Sequence, residues 1–502
     1  MSRKNGGIIG PANTPVGGLF KGVAGGVWRM NDVLNFVSNS QWPSTPKSID
    51  NSLRFNKGSS DNLTRTPSSA GNQKTFTFST WIKKGDFGGT EEGLLYSEPD
   101  SNTHTAIRID GSDKLRVLCV RSGSTGNGFD KKTTRVFKDP SAWYHIVVAF
   151  DTTQSTADDR IKIYVNGVQE TAFDTNTFGG SQSLDTDINS TTQQEIGMED
   201  SISYFGGYMA ETIMIDGLQL TPSSFGETDS TTGIWKPKKI GSFSSAGTNS
   251  FYLDFKDSSN VGKDASGLSN NFTVNNLTSI DQSTDTCVEN FATLNPLVNK
   301  ANYSTHSDGN LTIVGNDASN ASRNHSTMAP SQGKWYMEFK AIDIQGTSYP
   351  SVGIISSSDA SSGSDQVGGA TNSVGYRPGG TILIDGSVTD TESTFTDNDI
   401  IGIAMDLDNG AVYFHKNGTY QNSGDPTSGS SRTGSLYNFT VSDSYHFSAT
   451  MYTADAEVSA NFGSPPYSIS SGNSDANGFG NFEYSVPSGY YALNTSNLNT
   501  YG

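Results

Sequence analysis

The sequence predicts an all-β chain: two tandem antiparallel β-sandwiches behind an extended N-terminal arm that holds one short helix. Three observations carry this. Apolar residues come in short bursts that alternate with polar ones, as in Phe76-Thr77-Phe78-Ser79-Thr80-Trp81-Ile82, and period two is the mark of a half-buried strand. The bursts are punctuated by Gly, Asn, Asp and Ser, and glycine alone numbers 55 of 502 residues. Helix signals gather in one place, Met30 to Val37, where Asn31 caps a turn, Val33, Leu34 and Val37 share a face, and Pro43 stops the run.

Composition excludes several classes. There are 33 basic and 51 acidic side chains, a net charge of −18, so the chain lacks the basic face that binding to long nucleic acid requires. Aromatic residues make up 10%, too many for a disordered chain. Two cysteines, Cys119 and Cys287, exclude a disulfide framework and any multi-cysteine zinc site. The longest apolar stretch, Ile146 to Phe150, falls far short of the ~18 residues of a membrane helix, so no membrane insertion is expected. At the N-terminus, Gly6-Gly7, Pro11, Pro15, Gly17-Gly18 and Gly25-Gly26 break any continuous apolar segment, and the stretch reads as a docking arm, not an export signal.

Read in order, residues 1–46 are the arm, 47–300 the first sandwich and 301–502 the second. Trp28 and Trp42 flank the short amphipathic turn, and an arm so small cannot bury them alone. Trp28, Met30, Val33, Leu34, Val37 and Trp42 are therefore the expected partner-anchoring residues. Strands of the first block begin at Ser52-Leu53-Arg54-Phe55 and continue through Phe76 to Ile82, Ala106 to Ile109, Leu115 to Val120, Trp143 to Phe150, Arg160 to Val165, Tyr208 to Ile215 and Phe251 to Phe255. Asn166-Gly167 marks a hairpin, because both residues accept the positive φ of a tight turn. The second block offers Leu311 to Val314, Lys334 to Phe339, Val352 to Ile355, Ile400 to Leu407, Ala411 to His415 and Tyr445 to Tyr452, with a long Ser/Gly/Asp-rich loop from Ser356 to Gly380.

At these residues the chain resembles known families. Phe76 to Ile82, Ala142-Trp143-Tyr144-His145-Ile146-Val147-Val148, Ile161 to Gly167 and Phe205 to Ile213 resemble the laminin-G-like, concanavalin A-like jelly roll. Gly333-Lys334-Trp335-Tyr336-Met337-Glu338-Phe339, Asp399 to Asp406, Val412 to Gly418 and Ala460-Asn461-Phe462-Gly463 resemble the SPRY or B30.2-like sandwich. The flanking pieces, Gly26 to Val33, Phe251 to Phe255, Asp264 to Asn271, Phe291 to Pro296 and Pro487 to Asn494, are similar to module edges in virion and tail proteins of marine bacteriophages.

Signals for chemistry are sparse. No Gly-x-Ser-x-Gly elbow and no His-Glu-x-x-His spacing occur, and the histidines (His104, His145, His306, His325, His415, His446) read as structural or surface groups. Glu91-Glu92, Asp158-Asp159 and Glu199-Asp200 are adjacent pairs whose side chains diverge, whereas glycoside hydrolysis needs two carboxyls facing each other across a sugar. Asp406-Leu407-Asp408-Asn409-Gly410 opens like a calcium loop, but Asn417 stands where the bidentate Glu belongs, so it reads as a hairpin. Trp81, Trp143 and Trp335 read as core, not sugar platforms. Some laminin-G-like folds bind calcium at the sandwich rim, and the resemblance points to Asp110, Asp113, Asp185 and Asp187 as the carboxylates for it.

The resemblances imply a non-enzymatic virion structural protein, a tail fibre or similar, without cofactor. Its arm attaches to tail or capsid subunits and its sandwiches adhere to a host-surface glycan or receptor. It is expected in the virion, assembled in the bacterial host cytoplasm, as a homo-oligomer, with a trimer the form expected of a fibre. The alternatives are a capsid decoration or head-fibre protein and a tail-spike polysaccharide depolymerase.

Overall fold

The computed structural model describes residues 49–230, 232–240, 243–298, 303–360 and 366–502. The arm, its helix and Trp28, Met30, Val33, Leu34, Val37 and Trp42 lie outside the described residues. What is described is all-β, in two sandwiches, as the alternation requires.

In the first sandwich one sheet runs in the order Val168–Gln169, Ile161–Val165, Trp143–Asp151, Thr75–Lys84, Gly207–Asp216, Ser52–Phe55, Gln282–Ser283, with Phe251–Leu253 also pairing to Gly207–Asp216. The facing sheet runs Phe173–Phe178, Ser124–Val136, Lys114–Arg121, Thr103–Ile109, Glu92–Asp100, Gln194–Ile196, Asn62–Arg65, Thr273–Asn275. Period two sends Phe76, Phe78 and Ile82 of one sheet and Ile107, Ile109, Val117 and Cys119 of the other into a shared core, where Phe76 stacks on Phe150 with ring centroids 4.3 Å apart. The Asn166-Gly167 hairpin forms as expected. Both residues have positive φ, 49° and 81°, and a Cβ on Gly167 would lie 2.5 Å from the Trp235 ring.

The second sandwich pairs Ser304–Ser307, Thr312–Gly315, Glu457–Asn461, Lys334–Asp343, Ile400–Asp406, Ala411–Lys416 and Thr419–Tyr420 in one sheet. The other holds Ser322–His325, Tyr445–Met451, Ser351–Ser356, Ser373–Tyr376, Thr381–Ile384 and Ser387–Thr391. Trp335, Met337, Phe339, Ile403, Phe414 and Phe447 fill the space between. The stretch from Ser356 to Gly380 is not wholly a loop. It contains the strand Ser373–Tyr376, whose Val374 and Tyr376 alternate into the core under a polar surface composition. Asp406 to Gly410 is a hairpin turn, with Asn409 N and Nδ2 donating to the Asp406 carboxylate at 2.9 and 2.8 Å. No helix among the described residues is long and apolar enough to cross a membrane.

The sandwiches are joined through buried polar contacts. Lys83 Nζ, at the end of Thr75–Lys84, donates to Asp285 Oδ2 (2.8 Å), Asn290 Oδ1 (2.7 Å) and the Phe291 carbonyl (3.0 Å). Trp143 Nε1 donates to the other Asp285 oxygen at 3.2 Å. Phe291, Ala292 and Leu294 belong to the hydrophobic clusters of the second sandwich. The Tyr208 hydroxyl donates to the Gly309 carbonyl at 3.1 Å, and Ser283 and Ser464 share a hydrogen bond of 2.7 Å. Lys83→Met strands the Asp285 carboxylate without its cation. A loss of about 3–5 kcal/mol is expected, read as a lower denaturation midpoint, and an unchanged midpoint would show the pair to be dispensable.

Candidate functional site

The strands of the second sheet of the first sandwich have one face on the core, so the intervening residues share its outer face. Ile107 and Ile109 point inward, which places His104, Ala106 and Arg108 outside. Leu118 and Val120 on the neighbouring strand join Ala106 and Tyr96 in a small outer cluster. Register sets Glu195 of Gln194–Ile196 directly opposite Tyr96. The hairpin of Met198–Glu199 with Ser203–Tyr204 lies against this face at Gly93, where an added Cβ would stand 2.3 Å from the Met198 carbonyl oxygen. Glu199 reaches from the hairpin to pair with Arg108.

This face concentrates unusual electrostatics. His104 Nδ1, Arg108 Nε, Glu195 Oε2 and Glu199 Oε2 are buried with no hydrogen-bond partner among the described residues. Buried polar atoms are nearly always paired, so four unpaired ones gathered on one face set it apart. Burial pushes the Glu195 carboxyl up to about 7, helped by repulsion from Glu98, Asp200 and Glu199. Burial also raises Glu199, against the pull of Arg108, and raises Glu98. The Tyr96 hydroxyl, bonded to Glu98, is pushed above its ordinary range by burial, and the His104 imidazole is pushed down by burial and Arg108. The result is a protonatable carboxyl, a guanidinium, an imidazole and a phenol at one surface, a set of donors and acceptors suited to polyhydroxylated ligands.

Of the acidic pairs marked in the sequence, Glu199-Asp200 falls here. Glu92 is instead buried beside Lys84 at 3.3 Å and pushed by burial to about 8. Asp158 accepts from Asn176, and Asp159 pairs with Lys162. His104 is the one marked histidine on this face. His145 sits between Ser79 and the Trp235 indole, each at 2.9 Å, and burial lowers it to about 3. His415 holds the Tyr336 hydroxyl at 2.7 Å, His325 contacts Ser448 at 2.6 Å, His446 contacts the Ser326 carbonyl at 2.8 Å, and burial lowers His306 to about 4. Trp335 is fully buried in its core. Trp81 packs with Ile49, Ala210 and Trp143 on the outer side of its sheet.

The rim carboxylates do not fit a calcium ion. Asp110 faces Lys132 at 3.4 Å, and Asp113 lies between Lys84 (2.9 Å) and Lys138 (3.3 Å). Asp185 faces Lys74 at 3.6 Å, and Asp187 faces Arg121 at 2.7 Å. Calcium requires six to eight oxygens around one point. Here each carboxylate is turned toward a cation, and among the described residues no three metal-ligating side chains gather.

Sequence reading missed Tyr96, Glu98, Arg108 and Glu195. The burst Leu94-Leu95-Tyr96 was the available signal for the strand, but nothing in the sequence brings Glu195 to it. A depression of 550 Å³ lies at the loop end of the second sandwich between Ile344, Thr347, Pro378, Phe395 and Asp397.

Fold and face together define a pair of binding-type β-sandwiches. Residues 57–222 match the family model of the concanavalin A-like lectin/glucanases superfamily, and residues 334–462 match that of the SPRY domain. The chain carries a laminin-G-like, concanavalin A-like domain followed by a SPRY domain. Among solved structures it is similar to the SPRY domain of human HERC1, at 16% identity and TM-score 0.27, covering 33% of this chain and 96% of that one. It is similar to a candidate carbohydrate-binding protein from Bacteroides ovatus, at 19% identity and TM-score 0.31, covering 46% of this chain and 60% of that one. It is also similar to domain 4 of AbnA, a GH43 extracellular arabinanase from Geobacillus stearothermophilus, in complex with arabinotriose. That match has 18% identity and TM-score 0.22 and covers 30% of this chain and 65% of that one. The chain thus spans less than two thirds of the last two. No curated protein matches it significantly.

Two outcomes follow from this geometry. The Glu195 carboxyl holds its proton more tightly folded than unfolded, so its contribution to stability is complete below the ordinary value of 4.5 and is lost as pH rises through about 7. Thermal midpoints measured across this range should fall less steeply in Glu195→Gln than in the parent, and parallel profiles would refute the assignment. Gly93→Ala should lift the 198–204 hairpin, seen as faster amide exchange there while the core strands keep their protection.

Proposed function

We propose that the chain is a non-enzymatic virion adhesion protein, a tail fibre or similar, that binds a host-surface glycan through the outer face of its first sandwich. The observation that carries this reading is the set of buried, unpartnered polar atoms on His104, Arg108, Glu195 and Glu199 beside Tyr96. Hydroxyl groups of a saccharide both donate and accept, which such a mixed set requires. The family match to a lectin/glucanase fold supports a carbohydrate ligand. The virion setting, the attachment role of residues 1–46 and the homo-oligomer rest on the resemblance of the flanking segments. Several copies on a particle turn weak individual sites into firm adhesion through effective concentration.

One observation favours a second reading, a polysaccharide-cleaving spike. A carboxyl poised at about 7 beside other carboxylates is the pattern of a general acid with its partner base. Against it, Glu199 is tied to Arg108 and Glu98 to the Tyr96 hydroxyl, so neither neighbour is disposed to attack. The test is a glycan array probed with the full chain. Binding without release of reducing ends is expected, with signal reduced about tenfold or more in Glu195→Ala, the weight of one or two lost hydrogen bonds. Release of reducing ends would replace this reading with the second. Deleting residues 1–46 should abolish incorporation into particles while leaving the sandwiches soluble, and retained incorporation would remove the arm from the account.

A further inference from the structure

The second sandwich carries a site of different construction. A cavity of 420 Å³ opens between the start of strand Lys334–Asp343, the turn at Asp408 and the segment after Gly489. That volume lies within the range of about 300–1,000 Å³ usual for small-ligand sites. Two tyrosines line it, Tyr491 and Tyr501, with rings stacked 3.8 Å apart and 9° from parallel. Gln332, Lys334 and Asp408 supply the polar wall.

Each wall is fixed from outside the cavity. Tyr491 is held by the parallel pairing of Tyr491–Ala492 with Trp335 and Tyr336. Tyr501 is delivered by the helix Thr495–Tyr501, whose N-cap Asn494 accepts from Asn497 N at 2.8 Å. Buried Asn497 donates in turn to Asp475 Oδ2 (2.8 Å) and the Ala492 carbonyl (2.9 Å), which locks the helix to the sheet. Capacity for a ligand remains on the polar side. Asp408 accepts from Gly333 N at 2.8 Å through Oδ1, and its Oδ2 has no partner among the described residues. The Gln332 amide nitrogen donates to the Gly502 carbonyl at 2.9 Å, which leaves its carbonyl oxygen to accept. Lys334 spends one ammonium proton on Asp406 at 2.9 Å. Gln332, Tyr491 and Tyr501 stand outside the 334–462 stretch that matches the SPRY model.

We propose that this cavity is a second saccharide site, taking a pyranose ring whose C–H face lies on an outer face of the stacked tyrosines, their inner faces being taken by each other, and whose hydroxyls reach Asp408, Gln332 and Lys334. Aromatic rings attract the C–H face of a sugar, and a carboxylate and an amide oxygen accept from its hydroxyls. The inference goes beyond the first-sandwich site and does not depend on it.

Saturation-transfer difference NMR on the full chain tests it, with the methyl pyranosides of glucose, galactose and mannose as probes at millimolar concentration. Transfer to the ring protons of at least one probe is expected. It should fall several-fold in Tyr501→Ala and in Asp408→Asn and persist in Glu195→Ala. Tyr501→Phe, which keeps the ring, should retain it. Should Tyr501→Ala loosen the helix, Asp408→Asn decides, because its side-chain oxygen still accepts from Gly333 N while the carboxylate charge is gone. Absence of transfer to all three probes overturns the proposal. So does transfer unchanged in both cavity variants, which would leave the tyrosine stack as helix packing alone. Transfer lost only in Glu195→Ala assigns the signal to the first sandwich and equally overturns the second site.

Discussion

One ammonium group governs how the chain passes from its first sandwich to its second. Lys83 Nζ is almost wholly buried, and so is its partner Asp285. Removing two such charges from water costs several kcal/mol per ion, and only dense hydrogen bonding offsets that. The structure supplies it: Asn290 and the Phe291 carbonyl complete the lysine, and the Trp143 indole completes the aspartate. Residues 285, 290 and 291 are thereby fixed against the end of the strand Thr75–Lys84. Phe291 then enters the cluster of Tyr336 and Phe482, and the second sandwich starts from a set position. A greasy pair could fill the same space, but would not dictate the direction in which the chain leaves.

The outer faces of the sheets are covered unequally, and the proposed first-sandwich site lies on the least covered of them. Leu220, Phe225, Ile240 and Phe243 cover Val147, Ala149 and Ile213 on one sheet of the first sandwich. In the second sandwich the segment after Phe462 covers Tyr336 and Tyr413. There buried Glu338 accepts from Glu483 N, Tyr484 N and the Asn461 amide at 3.0, 2.8 and 3.2 Å, and so pins the cover down. Among the described residues, the remaining sheet of the first sandwich receives the short 198–204 hairpin on its outer face. Four of its polar atoms, on His104, Arg108, Glu195 and Glu199, are removed from water without a partner among the described residues, a costly state that the proposed ligand would relieve.

Much of the fold was legible because period-two alternation is a local signal. Trp143 to Phe150 and Tyr208 to Ile215 stand in the structure where the sequence placed them, as Trp143–Asp151 and Gly207–Asp216. The strands Ser124–Val136 and Phe173–Phe178 were not legible, since both are mostly polar; the second is the edge of its sheet and the first its neighbour. The bulge at Glu211, with φ of 52°, breaks the alternation of a strand that otherwise reads cleanly. The candidate site was less legible still. Glu195 meets Tyr96 only through sheet register, which joins residues a hundred positions apart. The rim aspartates failed as a calcium set for a related reason: sequence shows carboxylates but not the lysines that fold back upon them, as Lys84 and Lys138 do upon Asp113.

Rigid joining also bears on how weak sites act together. A saccharide contact made at a sheet surface is shallow, and each contact alone is short-lived. Two contacts on one frame behave differently, because once the first is made the second ligand is presented at an effective concentration set by the frame. A loose linker between sandwiches dilutes that advantage, since the second site then samples many positions in which no ligand stands. The contacts of Lys83, Tyr208 and Ser283 across the junction remove those positions. The buried polar junction is costly in stability, and it replaces a simple greasy seam with a fixed spacing between the two sandwiches; under the proposed reading, that spacing would set which extended glycans reach both sites at once.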